Sequence, residues 1–294
     1  MECMLSLPQS ASYKVSGELH AEHLVLSDEA QPGEHVTITA FHPDGSGSLL
    51  EDTPQVVAIV HPGHLCSREH QDTRGVAETL ATELNVTAVT IDPRGTHDSY
   101  AKDGGEFDFD QLTVDLVDLT RLLNPSDGVI LGGHCLGGAY ALVAAGLLGE
   151  KGKGNPRVIC AFTDKTMAHS EDFAPLPFVI ERARKGKSFP QQDPVDGRLL
   201  RDGPRIIIPP TKLDQYIQLG TLAAHLEAAA DTPVLLTASR EDHDINYDNV
   251  QELARKFPNA HFLDVPGDHS DIRPEVARST GKIVAGWVLE NGYL

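Results

Sequence analysis

Leu131-Gly-Gly-His-Cys-Leu-Gly-Gly-Ala-Tyr140 reads as a G-x-S-x-G nucleophile elbow with sulfur in place of oxygen, at Gly133, Cys135 and Gly137. In such an elbow the chain leaves a strand, turns sharply with the nucleophile in a strained conformation, and enters a helix at once. Side chains at the two flanking positions would collide with neighbouring backbone, so glycine stands there. Gly128-Val-Ile-Leu-Gly132 supplies the strand, and Leu136 to about Leu148, rich in Ala and Gly, supplies a helix able to pack closely. A free cysteine is more often a small buried hydrophobe than a reactive group. Here the strand–turn–helix setting and the partners below favour the reactive reading.

Working outward, strands and helices alternate. Gln55-Val-Val-Ala-Ile-Val60 is a continuous apolar strand, as expected when both faces are covered. Thr73 to Leu84 reads as a helix with Val76, Leu80 and Leu84 on one face, and Val86 to Ile91 as a strand. Phe107 to Leu123 is amphipathic, with Leu112, Leu116, Leu119 and Leu123 at helical spacing. After the elbow come strands at Arg157 to Phe162, Pro233 to Thr237 and Ala260 to Val265, with helices at Asp248 to Phe257 and Pro274 to Leu289. The pattern specifies an α/β fold, a mostly parallel sheet with helices on both faces. The first 50 residues differ: Tyr13 to Leu26 and His35 to Phe41 read as extended antiparallel segments, with turns at Ala30 to Gly33 and His42 to Gly45.

One stretch breaks the rhythm. Residues 163–219 hold many prolines and charges, and they leave the sheet on the side where the elbow opens. They read as a cap inserted over the site, between core segments 1–162 and 220–294. Phe173, Leu176, Phe178, Ile206 and Tyr216 are the candidate substrate-lining residues of that cap. The basic run Arg182-Ala-Arg-Lys-Gly-Lys187 reads as a solvated segment of it.

A thiol at a helix N-terminus is helped toward thiolate by the helix dipole, and it needs a base. Of fourteen histidines, His269 stands out: Val265-Pro-Gly-Asp-His-Ser270 directly follows the last strand, so the ring can reach the carboxyl edge where Cys135 emerges. The base needs an orienting carboxylate. Asp242, in the acidic loop after Pro233 to Thr237, is the choice, with Glu241, Asp244 and Asp164 as rivals. Asp268 adjoins His269 and reads as a turn residue. Acyl chemistry also needs two oxyanion donors. They are expected to be the backbone N–H of Leu136 and that of His64, with Gly63 second, in the loop His61-Pro-Gly-His-Leu65. His61 and His64 lack converging Cys, Asp or Glu residues, so no metal is expected, and no cofactor. His134 is expected to pack beside the elbow.

Composition narrows the function classes. The chain has 294 residues, 40% hydrophobic and 23% charged, as in an ordinary globular protein. A net charge of −19 disfavours nucleic acid and anionic membranes as partners. No apolar run is long enough for a membrane span, and Met1 to Pro8 lacks the basic start of a secretory signal. The four cysteines show no disulfide framework, and a reactive thiol suits a reducing, cytoplasmic setting.

Taken together, these segments resemble the α/β-hydrolase superfamily: His61-Pro-Gly63, Ile91-Asp-Pro-Arg-Gly-Thr-His-Asp-Ser99, the elbow, the Asp242 loop and the His269 loop fall in that family's order. The elbow Gly-His-Cys-Leu-Gly-Gly-Ala is most similar to that of dienelactone hydrolases, and also to that of polyhydroxyalkanoate synthases, both of which use Cys-His-Asp. The resemblance implies an eight-stranded, mostly parallel sheet and a structural role for Asp92-Pro-Arg-Gly95. It also implies hydrolysis of a small carboxylic ester, lactone or thioester, free or carrier-bound, through an acyl-Cys135 intermediate. Acyl transfer or cyclisation from the same intermediate is the alternative, and a non-catalytic ligand-binding protein on the same fold is the third reading.

Overall fold

Apolar strands buried on both faces define the centre of the molecule. The computed structural model describes residues 5–16, 19–28, 34–43, 48–49, 53–64, 66–99, 108–149, 155–169, 175–190, 205–219, 221–269 and 271–294. Its strands are β1 (Leu5–Ser16), β2 (Leu19–Asp28), β3 (His35–His42), β4 (Val56–His61), β5 (Thr87–Ile91), β6 (Gly128–His134), β7 (Val158–Asp164), β8 (Phe189–Pro190), β9 (Arg205–Ile206), β10 (Val234–Ala238) and β11 (Ala260–Asp264). Its helices are α1 (Gln71–Leu84), α2 (Phe109–Leu123), α3 (Leu136–Gly149), α4 (Leu176–Arg184), α5 (Leu213–Leu219), α6 (Leu222–Ala228), α7 (Tyr247–Lys256) and α8 (Pro274–Glu290).

The main sheet runs β1-β2-β3-β5-β4-β6-β7-β10-β11. From β5 to β11 the neighbours are parallel, and β1, β2 and β3 add on antiparallel. The eight expected strands are β2 to β7 with β10 and β11. A ninth lies outside them, because the segment read as one extended piece from Tyr13 to Leu26 is a hairpin of β1 and β2. Alternate residues of each central strand feed two cores. Val57, Ile59, Val129 and Leu131 join Leu116, Leu119 and the alanines of α3 on one face. Ala58, Val60 and Ile130 join Leu80 of α1 and Trp287 of α8 on the other. Period-two alternation with both halves apolar is what a parallel sheet between two helix layers requires.

Helix ends follow from local chemistry. Asp108 caps α2 by accepting from the N–H groups of Asp110 and Gln111. Asn85 and Asn124 end α1 and α2 in the left-handed conformation that asparagine tolerates.

The Asp92-Pro-Arg-Gly95 segment does structural work. Asp92 accepts from the Arg68 backbone N–H at 2.7 Å and pairs with the Arg68 guanidinium. Arg94 reaches Glu34 at 2.7 Å and Asp115 of α2 at 2.6 Å, all three buried. Arg94→Ala removes the guanidinium that both buried carboxylates meet. It is expected to cost about 3–5 kcal/mol, read as a lowered urea midpoint at unchanged slope.

Between β7 and β10 the chain leaves the sheet at its carboxyl edge, forms α4, the β8–β9 hairpin and α5, and returns through α6. Leu176, Val179, Ala183, Phe189 and Leu213 of this insertion enter the same apolar cluster as Cys135, Leu136 and Tyr140. Lys212 pairs with Asp108 at 3.1 Å and Gln215 donates to Asp110 at 3.2 Å, tying the insertion to the start of α2. Among the described residues no helix is long and apolar enough to cross a membrane.

Candidate active site

The sequence turns from strand to helix at one residue, Cys135, whose φ is +52°. That left-handed backbone is disfavoured for a residue with a Cβ. Surrounding bonds hold it: the Cys135 N–H donates to Asp164 O at 2.8 Å, and its carbonyl accepts from Gly138 N at 3.1 Å and Thr166 Oγ1 at 2.7 Å. Glycines permit the approach. A Cβ on Gly133 would lie 2.3 Å from the Gly137 carbonyl carbon, and one on Gly137 would lie 2.2 Å from His61 O. The elbow is therefore wedged between the start of α3 and the loop after β4.

The three candidate catalytic residues meet. His269 hydrogen-bonds Cys135. Its Nδ1 donates to Asp242 Oδ2 at 3.0 Å. Asp242 is fixed in turn, its Oδ1 accepting from the N–H groups of Asp244 at 2.8 Å and Ile245 at 2.9 Å. Two of the rivals make other contacts. Asp244 lends its backbone to Asp242, and Asp164 Oδ2 accepts from His134 Nδ1 at 2.9 Å. Asp268 accepts from the backbone N–H groups of His269 and His243, in keeping with a turn role.

The electrostatics favour an ion pair. Burial pushes the Cys135 thiol up, but the charge and hydrogen bond of His269, the charge of His134 and the Leu136 N–H outweigh it and bring the thiol below its ordinary value. Burial also opposes a charged His269; the Cys135 thiolate and the hydrogen bond to Asp242 prevail and hold its imidazolium well above the ordinary histidine range. In general, pairing with an imidazolium at a helix N-terminus favours the thiolate, the form in which a cysteine is nucleophilic.

The loop after β4 closes over this pair. A Cβ on Gly63 would sit 3.2 Å from the Cys135 Cβ, which puts the expected oxyanion loop against the sulfur's own residue. Leu136, the other expected donor, points its N–H at the Cys135 sulfur. His61 gives Nδ1 to Pro62 O at 2.8 Å and packs on Tyr140, and burial lowers its pKa to about 4. Burial lowers His64 to about 4 as well. Among the described residues no three His, Cys, Asp or Glu side chains converge as metal ligands do.

Of the expected lining residues, Leu176 is buried in the core cluster. Phe178 is not brought to the site: it is 59% exposed, with the Arg182 guanidinium 5.8 Å from its ring. Helical spacing explains this, since Leu176, Val179 and Ala183 share the buried face of α4 and a residue two places after Leu176 cannot. Phe173 lies outside the described residues, as do the side chains of Ile206 in β9 and Tyr216 in α5. Sequence reading missed Phe189, whose ring meets the His64 ring edge-on at 6.1 Å. It also missed where His134 sits: its ring nitrogens face a carboxylate on each side, Asp164 at 2.9 Å and Asp72 at 3.4 Å.

A family model described as "alpha/beta hydrolase family" matches residues 46–278. No curated protein sequence matches the chain. Among solved structures, Est1E from Butyrivibrio proteoclasticus with ferulic acid bound is similar at TM-score 0.60 and 17% identity, over 88% of this chain and 96% of that one. A hypothetical protein from Pseudomonas aeruginosa gives TM-score 0.62 and 17% identity, over 95% of each chain. An esterase of Pyrococcus furiosus gives TM-score 0.57 and 16% identity, over 97% of each.

Proposed function

The chain belongs to the alpha/beta hydrolase family and has the α/β-hydrolase fold, and on that premise we propose that it hydrolyses a small carboxylic ester, lactone or thioester, with Cys135 as nucleophile, His269 as base and acid, and Asp242 as the residue that orients His269. The observation that carries the reading is the hydrogen-bonded chain from Cys135 through His269 to Asp242, built on the strained elbow. An inert structural cysteine has no need of a disfavoured backbone or of an imidazole fixed by a buried carboxylate.

The Cys135 thiolate attacks the acyl carbon, the S–C bond forms, and the carbonyl π electrons move to oxygen. Leu136 N–H and an N–H of the Gly63–His64 loop receive that oxyanion. Collapse expels the leaving group, which takes the proton from His269, and a thioester remains on Cys135. His269, now neutral, takes a proton from water as the water attacks the thioester. The S–C bond breaks, the acid departs and the thiolate–imidazolium pair returns. Asp242 keeps Nδ1 protonated throughout, so the same face of the ring serves both steps.

Residues 163–219 act as a cap on this site. Their apolar residues share a cluster with Cys135, and Phe189 stands beside His64 of the oxyanion loop. The bound ferulic acid of Est1E makes aryl-acid esters a natural first class to test. The test is intact-mass spectrometry after brief exposure to feruloyl esters, simple aryl esters, lactones and acyl thioesters. The expected result is a transient mass gain of one acyl group, mapped to the Cys135 peptide and cleared by water. Clearance only on addition of an alcohol or amine would make the protein a transferase. Absence of acylation with every member of the panel, together with ordinary thiol reactivity at Cys135, would remove the enzymatic reading.

A further inference from the structure

We propose that His134 is a positioning residue held as an imidazolium between Asp164 and Asp72, a fixed positive charge that keeps the neighbouring Cys135 sulfur as thiolate. The proposal rests on the reading of Cys135 as the nucleophile. It goes beyond that reading by assigning a second cation to the site, one that takes no part in proton transfer.

The protonation state follows from geometry. Nδ1 of His134 faces Asp164 Oδ2 at 2.9 Å, and Nε2 faces Asp72 Oδ2 at 3.4 Å. Carboxylates only accept, so the Nδ1 that bonds Asp164 carries a proton, and a second proton on Nε2 places positive charge opposite Asp72 Oδ2. A neutral ring would turn a lone pair toward one of the two carboxylates where the ring is 3% exposed and little water screens the repulsion. Asp72 Oδ2 is buried and has no hydrogen bond of its own, so its compensation comes from the facing His134 ring.

Titratable groups from several elements surround the ring. At the start of α1, His70 Nδ1 donates to Asp72 Oδ1 at 2.7 Å. At the end of β7 stand Asp164 and the buried Lys165, whose Nζ donates to Asp268 O at 2.8 Å. From the loop before α8 comes His269, its ring centroid 5.1 Å from that of His134. From α3 comes Cys135, and from the loop after β4 come Cys66, raised well above its ordinary value by burial, and the near-neutral His64. Asp72 and Asp164 thus face the His134 ring from opposite sides. The Cys135–His269 pair adds one charge of each sign. Burial works against a charged His134, yet the carboxylates of Asp72 and Asp164 raise it above the ordinary histidine value. The same contacts hold Asp72 and Asp164 below the ordinary carboxylate range despite their burial.

This placement answers a specific difficulty. Cys135 is 5% exposed, and desolvation disfavours its thiolate. His269 alone offers one charge, and it gives up its proton during turnover. His134 has no such duty. It keeps its charge while His269 cycles, so the sulfur remains a competent leaving group when the thioester is hydrolysed.

Two readouts test the proposal on the intact protein, and neither uses turnover. The first is 15N NMR of histidine-labelled protein. Both His134 ring nitrogens are expected to be protonated at pH 8, where an ordinary imidazole with pKa about 6.5 is neutral. The second is the pH dependence of iodoacetamide alkylation, followed at the Cys135 peptide, in wild type and His134→Gln. The variant's midpoint is expected about one unit higher, so that alkylation at a pH well below both midpoints slows about tenfold. A purely structural His134 would leave that midpoint where it is. A His134 ring that is neutral at pH 8 overturns the proposal, even if the Gln variant does not fold. So does a folded variant whose alkylation curve lies on that of wild type. Failure of the reading of Cys135 as the nucleophile has a different signature, turnover that survives loss of Cys135.

Discussion

Cys135→Ala is expected to lower acyl turnover by at least about 10⁴-fold, because a triad nucleophile removed from a covalent mechanism leaves only what the oxyanion donors and binding contribute. Its stability should change by no more than about 1 kcal/mol, since a single sulfur atom is lost and the backbone bonds that pin the elbow remain. The combination matters. A residue at φ +52° is held in place by its surroundings, and those surroundings survive the substitution. Steady-state rates with the best ester of the panel, beside thermal unfolding, check both halves. A loss of only a few-fold would remove Cys135 from the mechanism. Cys135→Ser separates element from position. Serine's much higher pKa leaves it mostly protonated beside a pair suited to thiolate, so weak activity and a slowly cleared acyl-serine are expected.

The elbow was legible because its geometry is local. Gly133, Cys135 and Gly137 answer contacts made within a few residues and one adjoining loop, so residue type and spacing carry the information. The loops bearing Asp242 and His269 were legible for a related reason: each follows a strand, and parallel strands deliver their ends to one edge. Choosing Asp242 over Asp164 was different. Both follow a strand at the same edge, and only the distances separate them, with Asp242 on His269 and Asp164 on His134. The His134 network was hidden because its partners arrive from the start of α1 and the end of β7, and a His-x-Asp at a helix start has no signature of its own. Phe178 and Phe189 show the limit of reading a segment by composition. Both are phenylalanines of one insertion; helical phase turns the first to solvent, and a two-residue hairpin strand turns the second toward His64. The seven-residue α6 gave too short a pattern to be read as a helix, and it is ordered by packing on α3.

His269→Ala should cost turnover on the order of 10⁴-fold and should also change the shape of the pH profile, which is the more discriminating result. In the intact protein the thiol lies below its ordinary value and His269 lies well above its own. Both shifts widen the pH range over which the pair is thiolate and imidazolium. Activity therefore falls on the acid side as the thiolate gains a proton, and on the alkaline side as His269 loses the proton that the leaving group needs. Without His269, burial loses its strongest opponent and the thiol rises. The acid limb then moves to higher pH and the alkaline limb disappears. Alkylation of Cys135 should follow the same acid limb, since it needs the thiolate and no proton donor. Asp242→Asn should do less, about 10²-fold. The imidazole remains, but the bond that fixes its Nδ1 proton is weakened and the ring can adopt the other tautomer, as the 3.0 Å contact to Asp242 Oδ2 implies. A His269→Ala profile with both limbs intact would mean that another group supplies the proton, and the base would have to be sought elsewhere among the histidines of the site.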